Sequence, residues 1–278
     1  MGGVRAIFDK YGVAPRKRFG QNFLVRDGYV EAVARAADIS ENDVVLEIGA
    51  GIGNLTKALA ARAEKVIAVE FDRDMLKVLH GELDLDNVQI LDLDALKIDY
   101  NDICPDKKII AVSNLPYNIA TEIIFRLFDA APRFKRMLLM TQLEVARRFT
   151  AAVGSKDYGI LAVMSGMWAR AKIQMIVPAG AFFPRPKVKS AVVRFDMFEE
   201  NAARVDSIET YSRIVHAAFA QRRKMISNSI ASSFIPKMEK AAVEKWLTEA
   251  GIDPKTRAQN LTVEDFARLE TFFPFKKR

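Results

Sequence analysis

The chain has 278 residues, 50% of them hydrophobic and 28% charged, with a formal net charge of +7; this is ordinary for a globular protein long enough to hold one large core and one smaller one. A single cysteine, Cys104, excludes an internal disulfide, and two histidines, His80 and His216, lie far apart without ligand-like neighbours, so no metal site of the usual Cys/His kind is expected and only an all-carboxylate Mg²⁺ site stays open. No apolar run reaches the roughly 18 residues of a membrane span and the N-terminus lacks a signal-peptide stretch, so the chain reads as cytoplasmic, with no membrane partner.

From residue 43 short β-rich runs alternate with helical periodicity. "DVVLEI", "KVIAVE" and "NVQIL" read as strands, with "NLTKALAARA" and "DRDMLKVLHGEL" as the helices between them. Then follow the strand "KIIAVS", the helix "IATEIIFRLFDAA", the strand "RMLLMTQ" and the helix "EVARRFTAAV". Such βαβ order predicts a mainly parallel sheet covered on both faces. After the helical "KDYGILAVMSGMWA", two β-rich runs, "AKIQMIV" and "VKSAVVRF", flank "PAGAFFPRPK", whose prolines and glycine argue against regular structure there. Beyond residue 200 the strands stop. "IETYSRIVHAAFAQRRKMISNSIASSF", "KMEKAAVEKWLTEAG" and "TVEDFARLETFF" read as helices, which divides the chain into a first domain, 1–200, and a helical second domain, 201–278.

"LEIGAGIGNLT" places Gly49, Gly51 and Gly53 between a strand and a helix, where a tight turn lets backbone approach a ligand without Cβ interference. A dinucleotide fingerprint would need a further glycine at position 54, which is Asn54. The next strand ends in Glu70, 21 residues after Gly49, the place from which an acid accepts both hydroxyls of an adenosine ribose. The third strand ends near Asp92 and Asp94, suited to an adenine amine. Three strand ends aimed at one crevice favour an adenosine-containing cofactor; both NAD and S-adenosylmethionine fit.

The fourth strand end, "SNLPYN", distinguishes them. The lone pair of a nucleobase amine is delocalised into its ring, so methylating it requires the amine to be held with that lone pair aimed at the methyl donor. Two acceptors achieve this by taking its two N–H groups: the side-chain oxygen of Asn114 and the carbonyl of Leu115, with Pro116 fixing the direction of the latter. Tyr117 supplies a stacking face for a flipped-out base. Catalysis would come from orientation rather than from a strong base, in keeping with the absence of histidine near these motifs.

"RKRFGQNFL", "EIGAGIGNLT", "NLPYN", "AFFPRPKVKSAVV", "AFAQRRKMISNSI" and "RAQNLTVEDFARL" together closely resemble the small-subunit ribosomal RNA adenine N6,N6-dimethyltransferases, the kasugamycin-sensitivity family. The resemblance implies an α/β fold, a class I Rossmann-like S-adenosylmethionine methyltransferase with a seven-stranded sheet, followed by a small all-helical domain that binds RNA. It implies dimethylation of two adjacent adenines near the 3′ end of small-subunit RNA within a 30S-type assembly particle. By motif, Gln21, Asn22 and Leu24 should close over the cofactor, Gly49 and Gly51 should lie beneath it, and Glu70 should hold its ribose. Asp94 should meet its adenine, Asn114 should border both cofactor and target, and Phe182 should sandwich the target base against Tyr117. Arg185 and Lys189 stand where proline and aspartate are common in the family, which makes the target-facing loop more basic.

The charge distribution agrees with an RNA partner. Residues 1–30 hold six Lys/Arg against two Asp/Glu, and residues 200–278 hold 14 against 10, whereas the middle is close to neutral. Arg16, Lys17, Arg18, Arg185, Lys187, Arg222, Arg223 and Lys224 are the candidate RNA contacts. Arg222, Arg223 and Lys224 fall in a predicted helix and cannot all face one way, so at least one should serve the fold by pairing with a carboxylate. Three other readings share parts of the pattern: a large-subunit methyltransferase of the erythromycin-resistance type, a non-catalytic assembly factor on the same fold, and a nicotinamide-dependent oxidoreductase. No dimer signature is seen, so a monomer is expected.

Overall fold

The computed structural model describes residues 2–16 and 19–274, which divide into two compact units, Met1–Ala146 with Ala171–Met197, and Arg147–Arg170 with Phe198–Arg278. In the first unit a helix not read from the sequence, α1 (Gly2–Tyr11), precedes a two-residue strand, β1 (Phe23–Leu24), and α2 (Asp27–Ala36). Then come β2 (Val44–Ile48), α3 (Asn54–Ala60), β3 (Lys65–Glu70), α4 (Arg73–Glu82), β4 (Val88–Asp92), β5 (Ile109–Asn114), α5 (Ala120–Asp129) and β6 (Phe134–Gln142). After α6 (Leu143–Phe149) and α7 (Ile160–Gly166), the sheet is completed by β7 (Ala169–Val177) and β9 (Ser190–Met197), with a second two-residue strand, β8 (Phe182–Phe183), between them.

The seven strands lie in the order β4-β3-β2-β5-β6-β9-β7. The pairs β2–β3, β2–β5, β3–β4 and β5–β6 are parallel and β6–β9 is antiparallel. Strands β2 and β5 are fully or nearly fully buried apolar runs, as a sheet covered on both faces requires. The two strands run parallel, but the order in which the chain adds strands to the sheet reverses between β2 and β5, and at such a switch point a crevice opens beyond the carboxyl ends of the strands.

β8 corrects the expectation that "PAGAFFPRPK" forms no regular structure. Phe182 and Phe183 lie between Pro178 and Pro184, so their own N–H groups are free to pair antiparallel with β1: Phe23 with Phe183, Leu24 with Phe182.

One acid lies in the core of this unit. Glu47 on β2 is 2% exposed and accepts the Thr56 hydroxyl at 2.6 Å. Burial pushes its carboxyl up to about 8, and the neighbouring charge of Glu70 acts in the same direction. The native state therefore keeps a proton that the unfolded chain has released, and stability falls as pH rises from the ordinary carboxylate range toward that value. Glu47→Gln retains an acceptor for Thr56 and removes the titration. It should unfold at the same urea midpoint as wild type at about pH 5 and at a higher midpoint near pH 8; identical midpoints at both would refute this assignment.

The second unit is helical. With α7 it comprises α8 (Ile208–Phe219), α9 (Ile226–Ser233), α10 (Lys240–Glu249) and α11 (Val263–Thr271). Residues 147–170 group here, whereas the sequence boundary assigns everything up to residue 200 to the first domain. The reason is packing: Tyr158, Val163 and Met167 share one buried cluster with Tyr211, Phe219 and Phe266, and the Tyr158 hydroxyl donates to the Leu261 carbonyl at 2.8 Å. The long helix expected over "IETYSRIVHAAFAQRRKMISNSIASSF" breaks into α8 and α9, with Arg222, Arg223 and Lys224 in the turn between them. The Ser229 hydroxyl holds that turn, donating to Ala217 O and accepting from Gln221 N. No described helix is long and apolar enough to cross a membrane.

Candidate active site

The crevice beyond β2, β3, β4 and β5 is built from strand ends. Gly49 and Gly51 adopt φ of +73° and +60°, values that L side chains rarely take. At Gly51 a Cβ would also meet the Phe23 ring at 2.9 Å, so bare backbone is required on two counts. Asn54, where a dinucleotide fingerprint has glycine, instead donates from Nδ2 to the Leu24 carbonyl at 3.0 Å, tying β1 to the start of α3.

Glu70 is only 8% exposed. Its Oε2 accepts Gly51 N–H at 2.9 Å, and its Oε1 accepts Phe71 and Asp72 N–H at 2.8 and 2.9 Å. Burial pushes its carboxyl upward despite these three bonds, which act the other way. A carboxylate has about four lone-pair positions, so the present geometry leaves room for one further donor rather than the pair of ribose hydroxyls expected from the sequence. Asp94 is half-buried, with Oδ1 accepting Leu96 N–H at 3.1 Å and Lys97 3.7 Å from its other oxygen. Two apolar side chains missed by the sequence reading, Phe71 and Leu93, follow the same strand ends and line the crevice. Phe71 is 55% exposed, and the motif "EFDRD" gives no sign that its ring faces outward.

The arm before β1 covers one side of this crevice with Phe19, Gly20, Gln21 and Asn22. Asp72 anchors it. This residue caps α4 by accepting Asp74 N–H and also accepts Gln21 Nε2 at 2.8 Å. Arg16 pairs with Asp72 at 3.2 Å and with Asp74, so its guanidinium ties the arm to the start of α4. Lys17 and Arg18 lie outside the described residues. Leu24 is buried in the core and does not line the crevice; it secures the arm through its carbonyl.

At the end of β5, Asn114 donates from Nδ2 to the Asn22 carbonyl at 2.8 Å. Its Oδ1 is buried and has no hydrogen-bond partner. Buried acceptors are almost always satisfied, so an unmet one lining a crevice marks a place where a ligand donates. Leu115 and Pro116 line the same crevice. Tyr117 is half-buried, and its hydroxyl bonds to the hydroxyl of buried Ser190 on β9; burial pushes the phenol up to about 12, so it stays protonated at any working pH. Phe182 does not join this group. It is 1% exposed within the sheet core, and a ring so enclosed offers no face to a base in this conformation, contrary to the expected sandwich; Phe183, packed 6.0 Å from Phe8, is the half-buried member of the pair.

Arg185 and Lys187 are exposed on the loop after β8. In the second unit Arg222, Arg223 and Lys224 are all exposed, and Arg222 also donates to the carbonyls of Lys156 and Tyr158 at 2.7 and 2.9 Å. One of the three does serve the fold, through carbonyls rather than the expected carboxylate. Among the described residues no group of three or more His, Cys, Asp or Glu is arranged to hold a metal ion.

An unmet acceptor beside a glycine turn and a buried acid is the arrangement expected of an amine methyltransferase, and comparison with known proteins agrees. The profile of the family described as ribosomal RNA adenine dimethylase matches residues 13–274. The chain belongs to this family. Ribosomal RNA small subunit methyltransferase A of Clostridium perfringens is 39% identical over 268 residues, covering 96% of this chain and 93% of the relative. The protein of the same name from Shouchella clausii is 39% identical over 272 residues, covering 96% and 92%. Among solved structures, a dimethyladenosine transferase from Plasmodium falciparum superimposes with a TM-score of 0.75 at 25% identity, covering 89% of this chain and 95% of that one. The 23S rRNA methyltransferase ErmE does so with a TM-score of 0.66 at 27% identity, covering 90% and 99%. Membership of the dimethylase family makes the chain an rRNA methyltransferase on a Rossmann-like fold, with RNA as substrate and the methyl donor of that class as cofactor.

Proposed function

We infer that the protein dimethylates N6 of two adjacent adenines near the 3′ end of small-subunit ribosomal RNA, acting as a cytoplasmic monomer on a 30S-type assembly particle. The observation that carries this reading is the buried, unpartnered Oδ1 of Asn114 at the end of β5. The crevice beside it suits S-adenosylmethionine: backbone without side chains at Gly49 and Gly51, one open lone pair on Glu70, Asp94 further along the edge, and Gln21 and Asn22 on the covering arm. When bound, that cofactor supplies an electrophilic methyl group. Asn114 Oδ1 and the Leu115 carbonyl oxygen accept the two N–H groups of the adenine amine, which turns its lone pair out of the ring plane and toward the crevice. Tyr117, held by Ser190, replaces part of the stacking that the base gives up when it leaves the RNA. Glu70, the acid nearest the glycine turn, is occupied by backbone donors, so rate enhancement comes from orientation and fixed dipoles rather than from proton abstraction.

The test is transfer of labelled methyl from S-adenosylmethionine to unmethylated small subunits, with large subunits alongside. Label recovered as N6,N6-dimethyladenine in the small subunit is the expected result. Label on the large subunit would instead favour the erythromycin-resistance reading, and cofactor binding without any transfer would favour an assembly factor.

The exposed cations give a separate prediction. Replacing Arg223 and Lys224 by glutamine should weaken RNA binding and reduce the slope of log affinity against log salt by about 1.5 to 2, with cofactor affinity unchanged. Arg222→Gln should lower the unfolding midpoint instead, because it strands two carbonyls. An unchanged salt slope in the double variant would remove this turn from the RNA interface.

A further inference from the structure

Asn114 lines the crevice, and the orientation of its amide is set by what its nitrogen touches. Nδ2 donates to the carbonyl of Asn22 at 2.8 Å. A carbonyl oxygen only accepts, so this contact admits one orientation of the amide, with NH₂ toward the arm and Oδ1 away from it. Turning the amide over would oppose two oxygens and present donors where the N–H groups of the amine have to be accepted.

The Asn22 carbonyl is placed from both sides. Upstream, Gln21 bridges Asp72 and the backbone of Arg16: its Nε2 donates to Asp72 at 2.8 Å and its Oε1 accepts Arg16 N–H at 2.7 Å. The Arg16 guanidinium closes this network onto Asp72 and Asp74 at the start of α4. Downstream, β1 is fixed by its pairing with β8 and by Asn54.

We propose that the arm is a positioning device for methyl transfer: latched by Arg16 and Gln21, it presents the Asn22 carbonyl that fixes the Asn114 amide with Oδ1 toward the target amine. The arm then contributes to the chemical step as well as covering the cofactor. Arg16 does not line the crevice and bonds to neither Asn114 nor Asn22, so it is a positioning residue acting through Gln21 and Asp72. The proposal rests on the adenine-methylation reading given above.

The test compares Arg16→Gln, Asp74→Asn, their double variant and Arg16→Lys in single-turnover methyl transfer to unmethylated small subunits, with cofactor and RNA both saturating. Cofactor titration calorimetry and thermal unfolding are run in parallel. Arg16→Gln should slow transfer about tenfold and Asp74→Asn by less, since Arg16 then keeps its pair with Asp72; the double variant should be no slower than Arg16→Gln, because both substitutions act on one latch. Arg16→Lys, which keeps the ion pair, should recover most of the rate. Wild-type transfer rates at saturation, with loss confined to cofactor affinity, would overturn the proposal and leave the arm as a cover only. A wild-type protein that binds cofactor but methylates no RNA would overturn the underlying reading and this proposal with it, an outcome distinct from variants that match an active wild type.

Discussion

Asn114→Ala is expected to slow methyl transfer by about 10²- to 10³-fold at saturating cofactor, the range seen when one preorganised hydrogen-bonding group is removed from a reacting centre. Alanine deletes the unmet acceptor and also leaves the Asn22 carbonyl without its donor. Asn114→Asp should fail almost as badly although it keeps an oxygen at the site, because a carboxylate has no N–H to give Asn22 and would repel that carbonyl. Asn114 is the last, half-buried residue of β5 rather than part of the sheet core, so thermal unfolding should move little. Rapid-quench measurement of a single turnover separates the chemical step from RNA docking. A rate within a few-fold of wild type for both variants would remove Asn114 from the mechanism.

Glu70→Ala is expected to weaken S-adenosylmethionine binding by about 10- to 100-fold, the equivalent of one charge-assisted hydrogen bond of about 1.5–3 kcal/mol. The side chain does two things in the crevice: it offers one open lone pair, and it holds the Gly51 turn through that residue's N–H. Stability should change much less than affinity. Losing the carboxylate strands three backbone N–H groups, but it also removes a poorly solvated charge, and water entering from the crevice can satisfy some of the donors. Asp94→Ala should have a smaller effect on affinity, since Asp94 is more exposed and its second oxygen already lies near Lys97. Isothermal titration of the three proteins gives the comparison; equal affinities for wild type and Glu70→Ala would exclude Glu70 from the cofactor site.

The parallel sheet and its crevice were legible because each strand is a short apolar run ending in a glycine turn, an acid or an asparagine, and those local signals survive folding. What stayed hidden was settled by distant partners. Arg16 reads as one of three consecutive cations, and only the fold brings Asp72 and Asp74 to it across more than fifty residues. Phe182 reads as the aromatic before a proline loop, but pairing of β8 with β1 turns its ring into the core. The α8–α9 break was hidden because no glycine or proline marks it and apolar spacing resumes at Met225 and Ile226 after the four polar residues 221–224. Arg222 shows the same limit: its role depends on carbonyls contributed from residues 156 and 158. Asn54 was noted for the glycine it replaces, whereas its contribution is the hydrogen bond that anchors the arm.

Placing two methyl groups on one amine takes two cofactors, so the spent molecule has to leave between transfers. The arm that covers the crevice continues directly into β1, and β1 is hydrogen-bonded to β8, which leads into the loop carrying Arg185 and Lys187. Movement of the arm and movement of the loop after β8 are therefore mechanically joined: lifting the arm far enough to free β1 releases β8 with it. An enzyme built this way stays processive only if the RNA is retained elsewhere during each exchange.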